Sequence, residues 1–184
     1  MDTRVITITG EVASGKSTIA KALLDLLPGW TQANTGGKFR EICDSRGISI
    51  QEVSFLDDDI HREVDNWQRQ IALTRSNLII EGRLAGWLTR DLAHVLRVYC
   101  YAQPAVRIQR YIQREGKSEE EAKSDIEYRD SRDMLKFQRM YEIDDYRDPA
   151  YYSFILDTSF DTPEVLAHAI MEKAGLAPKV PTRR

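Results

Sequence analysis

A glycine-rich segment that ends in a lysine and two hydroxyl residues is the clearest sign of chemistry in this sequence. Residues 10–18 read GEVASGKST and match the pattern G-x-x-x-x-G-K-[ST], which binds nucleoside triphosphates. The glycines let backbone N–H groups turn toward a phosphate, and the N-terminus of the next helix adds partial positive charge. The alternative is a glycine-rich turn that matches by chance. We predict that the nucleotide is bound by Gly10, Glu11, Val12, Ala13, Ser14, Gly15, Lys16, Ser17 and Thr18.

Two side chains of this segment and one acidic residue elsewhere have more specific expected roles. Lys16 would reach the β- and γ-phosphates and act in catalysis, and the Ser17 hydroxyl would bind Mg²⁺. Glu81 follows the apolar residues 78–80 and is a second candidate for Mg²⁺, through a water molecule. A solvated carboxylate at the end of a strand is the alternative for Glu81. The chain contains no N-K-x-D segment of the kind that reads guanine, so ATP is expected rather than GTP.

Two arginines suggest that the phosphate is transferred to an acceptor that itself carries a phosphate. Arg83 lies in EGRLAGWL, residues 81–88, directly after a glycine that permits close backbone approach. Arg40 lies in TGGKFRE, residues 35–41, one turn into a predicted helix. The planar guanidinium pairs two oxygens of a phosphate monoester, which suits such an acceptor. A surface arginine is the alternative for Arg40.

Cationic side chains also recur at helical spacing in the second half of the chain. Like charges four residues apart on a helix cost roughly 0.2–0.5 kcal/mol per pair. These stripes have few acidic partners in the sequence pattern, which indicates that they close over an anion; a solvated face, partly paired through Asp125 and Arg129, is the alternative. The first stripe contains Arg107, Arg110 and Arg114, and the second contains Arg129, Arg132, Lys136 and Arg139.

The elements that must position these residues alternate between strand and helix. Short apolar runs predict strands at residues 5–9, 30–33, 78–80, 95–101 and 154–156. Such alternation indicates a parallel sheet with helices on both faces, whose ligands bind beyond the carboxyl ends of the strands. Start signals predict further helices at Ser49, Pro104, Ser118 and Thr162.

Composition limits the class of protein. The chain has 184 residues, a length that fits one domain. It has 26 basic and 29 acidic residues, and the resulting net charge of −3 disfavours a protein built to bind nucleic acid. No segment is long and apolar enough to cross a membrane, and the chain begins without a signal-peptide pattern. Neither Cys43 and Cys100 nor the histidines show metal-ligand spacing. We expect a cytoplasmic monomer with no nucleic-acid or membrane partner.

Taken together, EGRLAGWL, the glycine-rich loop and TGGKFRE resemble the cytidylate kinases of the archaeal type, within the nucleoside monophosphate kinases. The resemblance extends through REG at 114–116, YEID at 141–144 and DTS at 157–159, and it spans nearly the whole chain, from Thr3 to about residue 172. It implies a P-loop NTPase fold, a three-layer α/β/α arrangement with a five-stranded parallel sheet. It also implies a core of residues 1–35, 73–113 and 147–175, with an acceptor-binding lobe at 36–72 and a lid at 114–146.

The resemblance also implies a reaction and a set of site residues. The reaction is transfer of the γ-phosphate of MgATP to CMP or dCMP. Arg40 and Arg83 match the positions that hold the acceptor phosphate, and Gly36 and Asp65 are further acceptor-site candidates, Asp65 for reading the base. The positions that clamp the transferring group are Arg110, Arg114 and Arg129.

The sequence departs from the family pattern in places that bear on the choice of acceptor. Gly37 replaces an acidic residue, Lys38 replaces a hydrophobic one, and Lys136 stands where a later lid arginine is usual. YEID replaces YGID at 141–144. A kinase for AMP, UMP or a nucleoside is therefore the first alternative. A module whose bound ATP only switches the affinity for a partner is the second.

Overall fold

A five-stranded parallel sheet forms the centre of the molecule. A computed structural model describes residues 3–49 and 58–176. The strands lie in the order β2-β3-β1-β4-β5, so β1 is central. Every neighbouring pair is parallel. The strands are β1 Val5–Gly10, β2 Thr31–Asn34, β3 Leu78–Glu81, β4 Val95–Tyr101 and β5 Phe154–Asp157.

Helices cover both faces of this sheet, as the alternating sequence pattern predicts. Ile6 and Ile8 of β1 pack with α1 and α7 on one face, and Val5 packs with α3 on the other. The strands carry apolar residues on both faces because both are buried. The helices are α1 Lys16–Leu26, α2 Thr35–Ser45, α3 Asp58–Thr74, α4 Ala85–Leu88, α5 Pro104–Glu115, α6 Glu119–Tyr141 and α7 Pro163–Ala174, with a short 3₁₀ helix at Pro149–Tyr151.

The predicted elements and helix starts are confirmed wherever the structure describes them. Pro104 is the first residue of α5, Ser118 and Glu121 form a capping box at α6, and the Thr162 side chain caps α7. The predicted helix after Ser49 lies outside the described residues. No helix of the described part of the chain has both the length and the apolar character needed to cross a membrane.

The long helix α6 crosses over the carboxyl edge of the sheet. Near its start, Ala122 and Ile126 pack against Val12 of the glycine-rich loop and Tyr111 of α5. Near its end, Phe137 packs against Tyr146. The helix ends at Tyr141, and the capping residue Glu142 that follows has a left-handed φ of 57°. Glycine adopts this conformation without steric cost, which gives a physical reason for the glycine of the family's YGID pattern.

The second glycine of EGRLAGWL is required by packing. The Gly86 N–H donates to Thr9 Oγ1 at 2.9 Å, which fixes α4 against β1. A Cβ at Gly86 would lie 2.5 Å from the Tyr152 ring, which is itself buried. The motif therefore specifies a close approach of backbone to ring, which places Arg83 above the sheet.

We predict that Gly86→Ala destabilises the fold by about 1–3 kcal/mol, because the new methyl group overpacks the site. Urea denaturation monitored by circular dichroism would measure this loss. Gly37→Ala in α2 is the matched control, since its Cβ would meet nothing closer than 3.9 Å. The control should be neutral or stabilising by up to about 1 kcal/mol, as alanine favours helix. Equal midpoints for Gly86→Ala and the unmodified protein would contradict the packing argument.

Candidate active site

The glycine-rich loop takes its shape from steric constraints at both ends. At Gly10, a Cβ would lie 2.2 Å from the backbone oxygen of Cys100 on β4, so only glycine fits. Gly15 has a φ of 85° and immediately precedes α1, and Ala13 is also left-handed, with a φ of 57°. These turns bring the loop into the start of α1, where unpaired N–H groups and the helix dipole favour an anion.

Lys16 lies folded across this loop. Its Nζ donates to the Glu11 carbonyl at 2.6 Å and lies 3.5 Å from Ser14 Oγ. Burial, with a further contribution from the charge of Arg83, lowers the pKa of Lys16 to about 7. A phosphate placed in the loop would supply the negative charge that the buried ammonium otherwise lacks.

The two predicted metal-binding residues are brought together. Ser17 Oγ donates to Glu81 Oε1 at 2.5 Å, and Gln32 and Asn34 each donate to Glu81 Oε2 at 3.1 Å. Glu81 is therefore oriented toward the loop and is not a solvated strand end. The described residues contain no cluster of three or more acidic, His or Cys side chains suited to a metal. One carboxylate and one hydroxyl fit Mg²⁺, which keeps waters and binds substrate phosphates.

The loop opens into a cleft of about 1030 Å³. Its far wall is built from α2, α3 and α6, so it has room for a second ligand beside a nucleotide bound to the loop. The predicted residues Gly36, Arg40, Asp65, Arg83, Arg110, Arg114 and Arg129 all line this cleft, as do Lys16, Ser17 and Glu81.

Arg83 lines the cleft and is held by carboxylates of α6. Its Nη1 lies 2.9 Å from Asp130 Oδ1 and 2.8 Å from Asp133 Oδ2. The preceding Gly82 is required here as well, because a Cβ would lie 2.3 Å from Thr35 Oγ1. Both ion pairs use the same nitrogen of Arg83, which leaves Nε and Nη2 outside these pairs.

The other predicted arginines differ in their surroundings. Arg110 donates to the carbonyl and the hydroxyl of Thr158, at 2.5 and 2.9 Å. Arg114 is exposed, pairs with Glu115 at 2.7 Å and lies over the Tyr111 ring. Arg40 and Arg129 are exposed and, within residues 3–49 and 58–176, make no hydrogen bond or ion pair.

Four members of the predicted cationic stripes have acidic partners, Arg114 through Glu115 as described above, so the expectation that the stripes have few such partners is wrong. Arg107 is buried, donates to the Val12 carbonyl at 2.8 Å and pairs with Glu11 at 3.2 Å and with Asp130. Lys136 pairs with Asp133 at 3.1 Å, and Arg139 pairs with Asp58. For Arg107 and Arg139 the physical reason is that α6 lies on the loop and on α3, which makes acids distant in sequence neighbours, whereas Lys136 pairs with an acid three residues away on its own helix.

One face of α3 presents polar side chains to the same cleft. Asp65 accepts from Tyr141 at 2.8 Å and from Gln68 at 3.0 Å, and burial raises the pKa of its carboxyl to about 6. His61 stacks on Phe39 with ring centroids 5.1 Å apart, and burial lowers its pKa to about 4. Nε2 of His61 is buried and has no hydrogen-bond partner within the described chain.

Sequence reasoning singled out Asp65 but missed His61 and Gln68. The three residues follow each other at spacings of four and three, which places them on one helical face. Their spacing was the available signal. This signal is weak because a histidine without ligand spacing and a glutamine carry no distinctive pattern of their own.

Solved structures of small-molecule kinases share this fold. A gluconokinase from Sinorhizobium meliloti is similar with a TM-score of 0.64 and 14% identity, covering 95% of this chain and 93% of that one. A shikimate kinase from Acinetobacter baumannii, in complex with shikimate, has a TM-score of 0.59 and 19% identity, with 92% of each chain covered. At these identities the likeness establishes the P-loop α/β fold alone.

Sequence comparisons are more specific. A cytidylate kinase from Natronomonas pharaonis is 35% identical over 173 residues, covering 92% of this chain and 88% of the relative. A cytidylate kinase from Pyrococcus abyssi is 36% identical over 163 residues, with 87% of each covered. The sequence model of the cytidylate kinase-like family matches residues 5–160. Given this match and the cleft described above, the chain belongs to the cytidylate kinase-like family, as a nucleoside monophosphate kinase.

Proposed function

We propose that this kinase transfers the γ-phosphate of MgATP to CMP or dCMP, giving ADP and CDP or dCDP. The observation that carries the proposal is a single cleft with a phosphate-binding loop at one end and Arg40, Arg83 and the polar face of α3 at the other. The volume of this cleft, about 1030 Å³, leaves room for two nucleotides held phosphate to phosphate. Relatives named cytidylate kinase support the choice of acceptor.

The donor would lie on the glycine-rich loop. Backbone N–H groups and the start of α1 would receive the β-phosphate, and Lys16 would move from the Glu11 carbonyl to the phosphates. Ser17 and Glu81 would hold Mg²⁺, which would neutralise negative charge that develops on the phosphates during transfer. Gln32 and Asn34 keep the Glu81 carboxylate directed at this position.

The acceptor phosphate would lie between Arg83 and Arg40. One of its oxygens attacks the γ-phosphorus, the bond to the β,γ-bridging oxygen breaks, and ADP leaves with the electron pair. The attacking oxygen is already anionic, so no general base is required. Catalysis then consists of positioning and charge stabilisation by Lys16 and by Arg110, Arg114 and Arg129 of α5 and α6.

Asp65 offers a physical basis for choosing cytosine. Its carboxylate can accept a hydrogen bond from the exocyclic amino group of cytosine, whereas uracil carries an oxygen there and would be repelled. Asp65 lies on α3 about one turn farther from the sheet than Gln68. This position is consistent with a base that lies farther from the loop than its phosphate does. His61 extends the same face by another turn.

We also propose that residues 36–72 and 114–146 close over the two nucleotides as lobe and lid. The protein would work as a cytoplasmic monomer on small nucleotides, without nucleic-acid or membrane partners. The net charge of −3 supports this, because a nucleic-acid-binding surface usually requires an excess of basic residues.

The function is tested by measuring ADP release with CMP, dCMP, UMP, AMP, a nucleoside and no acceptor. The proposal expects turnover that depends on the acceptor and is fastest with CMP or dCMP. Fastest turnover with another acceptor would replace the substrate assignment. Slow ADP release that ignores every acceptor would instead support a nucleotide-dependent switch.

The first prediction from this site concerns Lys16. Because its pKa is lowered to about 7 in the free protein and a bound triphosphate would raise it, MgATP binding at pH 8 should take up close to one proton. Affinity for MgATP should therefore fall as pH rises through 7. Isothermal titration in buffers of different ionisation enthalpy measures the uptake.

Lys16→Arg, which stays charged, should abolish the uptake, and Lys16→Ala should lower turnover by about 10²–10³-fold. Absence of uptake in the unmodified protein would contradict this role.

The second prediction concerns Asp65. Asp65→Asn should reduce the ratio of kcat/KM for CMP over UMP by about tenfold to a hundredfold, because an amide can donate to uracil as well as accept from cytosine. In the unmodified protein the ratio should fall as pH decreases through about 6, where the carboxyl gains a proton. The ratio cancels the titration of the acceptor phosphate, which both substrates share. Asp59→Asn on the exposed side of α3 is the control, and an unchanged ratio in Asp65→Asn would refute the assignment.

The third prediction concerns Arg129. Arg129 lines the cleft without an ion pair among the described residues, so its charge is available to the phosphate in transfer. Arg129→Ala should lower kcat by about 10²-fold, less than the 10³–10⁵ of a single arginine finger because other cations remain, with little change in KM for ATP. Lys123→Ala on the exposed side of α6 is the control. Steady-state kinetics decide: an unchanged kcat would assign Arg129 to a solvated face.

A further inference from the structure

Asp130 of α6 joins three separate parts of the active site. Its Oδ1 accepts from the Val12 N–H of the glycine-rich loop at 3.1 Å and from Arg83 Nη1 at 2.9 Å. Its Oδ2 accepts from Arg107 of α5. The Asp130 side chain is only 16% exposed, so these contacts are shielded from water. One carboxylate therefore contacts the donor loop, the acceptor arginine and the neighbouring helix at once.

The contact with Val12 belongs to a clamp on the first turn of the loop. Asp130 holds the Val12 N–H, and Arg107 holds the Val12 carbonyl at 2.8 Å. Arg107 also pairs with Glu11, whose carbonyl accepts from Lys16. Both backbone groups of Val12 are thus fixed by an ion pair between α5 and α6. The position of α6 consequently constrains the backbone that must receive the donor phosphates.

The contact with Arg83 constrains the acceptor side in the same way. Asp130 and Asp133 hold one nitrogen of its guanidinium, Nη1. Both acids lie on α6, so the direction of Arg83 depends on where this helix lies. A phosphate monoester paired by Arg83 would use the nitrogens outside these ion pairs.

We infer that Asp130 is a positioning residue that couples the donor site to the acceptor site. Through Val12 and Arg83 it makes both sites depend on one placement of α6, so a ligand that stabilises this placement in one site prepares the other. The inference rests on the proposed function, because it takes ATP and CMP as the two ligands. A merely structural role, in which Asp130 only neutralises two arginines, would lower stability without linking the sites.

The decisive measurement is the binding coupling between β,γ-imido-ATP, which cannot transfer its phosphate, and CMP. Isothermal titration gives the affinity for CMP with and without the analogue. In the unmodified protein the analogue should tighten CMP binding by about 5–150-fold, the usual range of such coupling. In Asp130→Asn, which keeps the shape but loses the charge, the factor should fall close to one.

Kinetics and a matched control complete the test. Asp130→Asn should lower kcat by about 10²-fold, as expected when reacting groups are misplaced. Asp125→Asn, on the same helix, alters contacts with Lys117 and Tyr111 but none with Val12 or Arg83, and an amide oxygen can still accept from Tyr111, so this variant should keep both kcat and coupling. In an Arg83→Lys background the further loss caused by Asp130→Asn should be smaller, because the two residues act as a unit.

Several outcomes would overturn the inference. These are a coupling factor of one in the unmodified protein, coupling in Asp130→Asn equal to that of Asp125→Asn, or strictly additive losses with Arg83→Lys. If Asp130→Asn does not fold, Asp130→Glu provides the same test, since it keeps the charge but displaces it and should reduce coupling. Failure of the proposed function is separate: it would show as no CMP-dependent ADP release by the unmodified protein.

Discussion

The concentration of positive charge in one cleft is the constraint on which the rest of this structure depends. A site that stabilises phosphates in transfer must hold several cations close together, and it must do so before any phosphate arrives. Unbalanced charges in a shielded site are costly. The molecule meets this constraint by placing carboxylates of α6 on Arg83 and Arg107 and by lowering the pKa of Lys16.

These two solutions leave the site prepared in different ways. Lys16 loses part of its charge through burial and would regain it from a bound phosphate, so its response is to take up a proton. Arg83 cannot lose its proton near neutral pH, so it requires negative counter-charges. The carboxylates of Asp130 and Asp133 provide them, and both contact the same nitrogen of Arg83, Nη1. The arginine thus remains charged and directed, with the rest of its guanidinium outside these ion pairs.

The fold and the glycine-rich loop could be predicted because their signals are local. A β-branched strand, a glycine loop and a capping box are each recognised from a few consecutive residues. Glu81 could be predicted because it stands at the end of an apolar strand. The partners of Asp130 could not be predicted in this way. Asp130 and Val12 are 118 positions apart, and they meet only because α6 crosses the loop. The prediction that Arg107 belongs to a stripe with few acidic partners is wrong for the same reason. Its spacing from Arg110 is helical, but spacing does not show which turn of a helix is buried.

The path of α6 also explains why the acceptor side is the less predictable half of the site. The donor loop is fixed by sterics within the core, such as the contact between Gly10 and β4. The acceptor side is assembled from α2, α3 and α6, whose polar faces meet across the cleft, as when Tyr141 donates to Asp65. Residues of this kind become neighbours only in the folded structure. The sequence spacing between the hydroxyl at the end of α6 and the carboxyl on α3 does not indicate that the two are in contact. Binding of a nucleoside triphosphate can therefore be inferred from a loop of nine residues, whereas the identity of the acceptor's base depends on how three helices face each other.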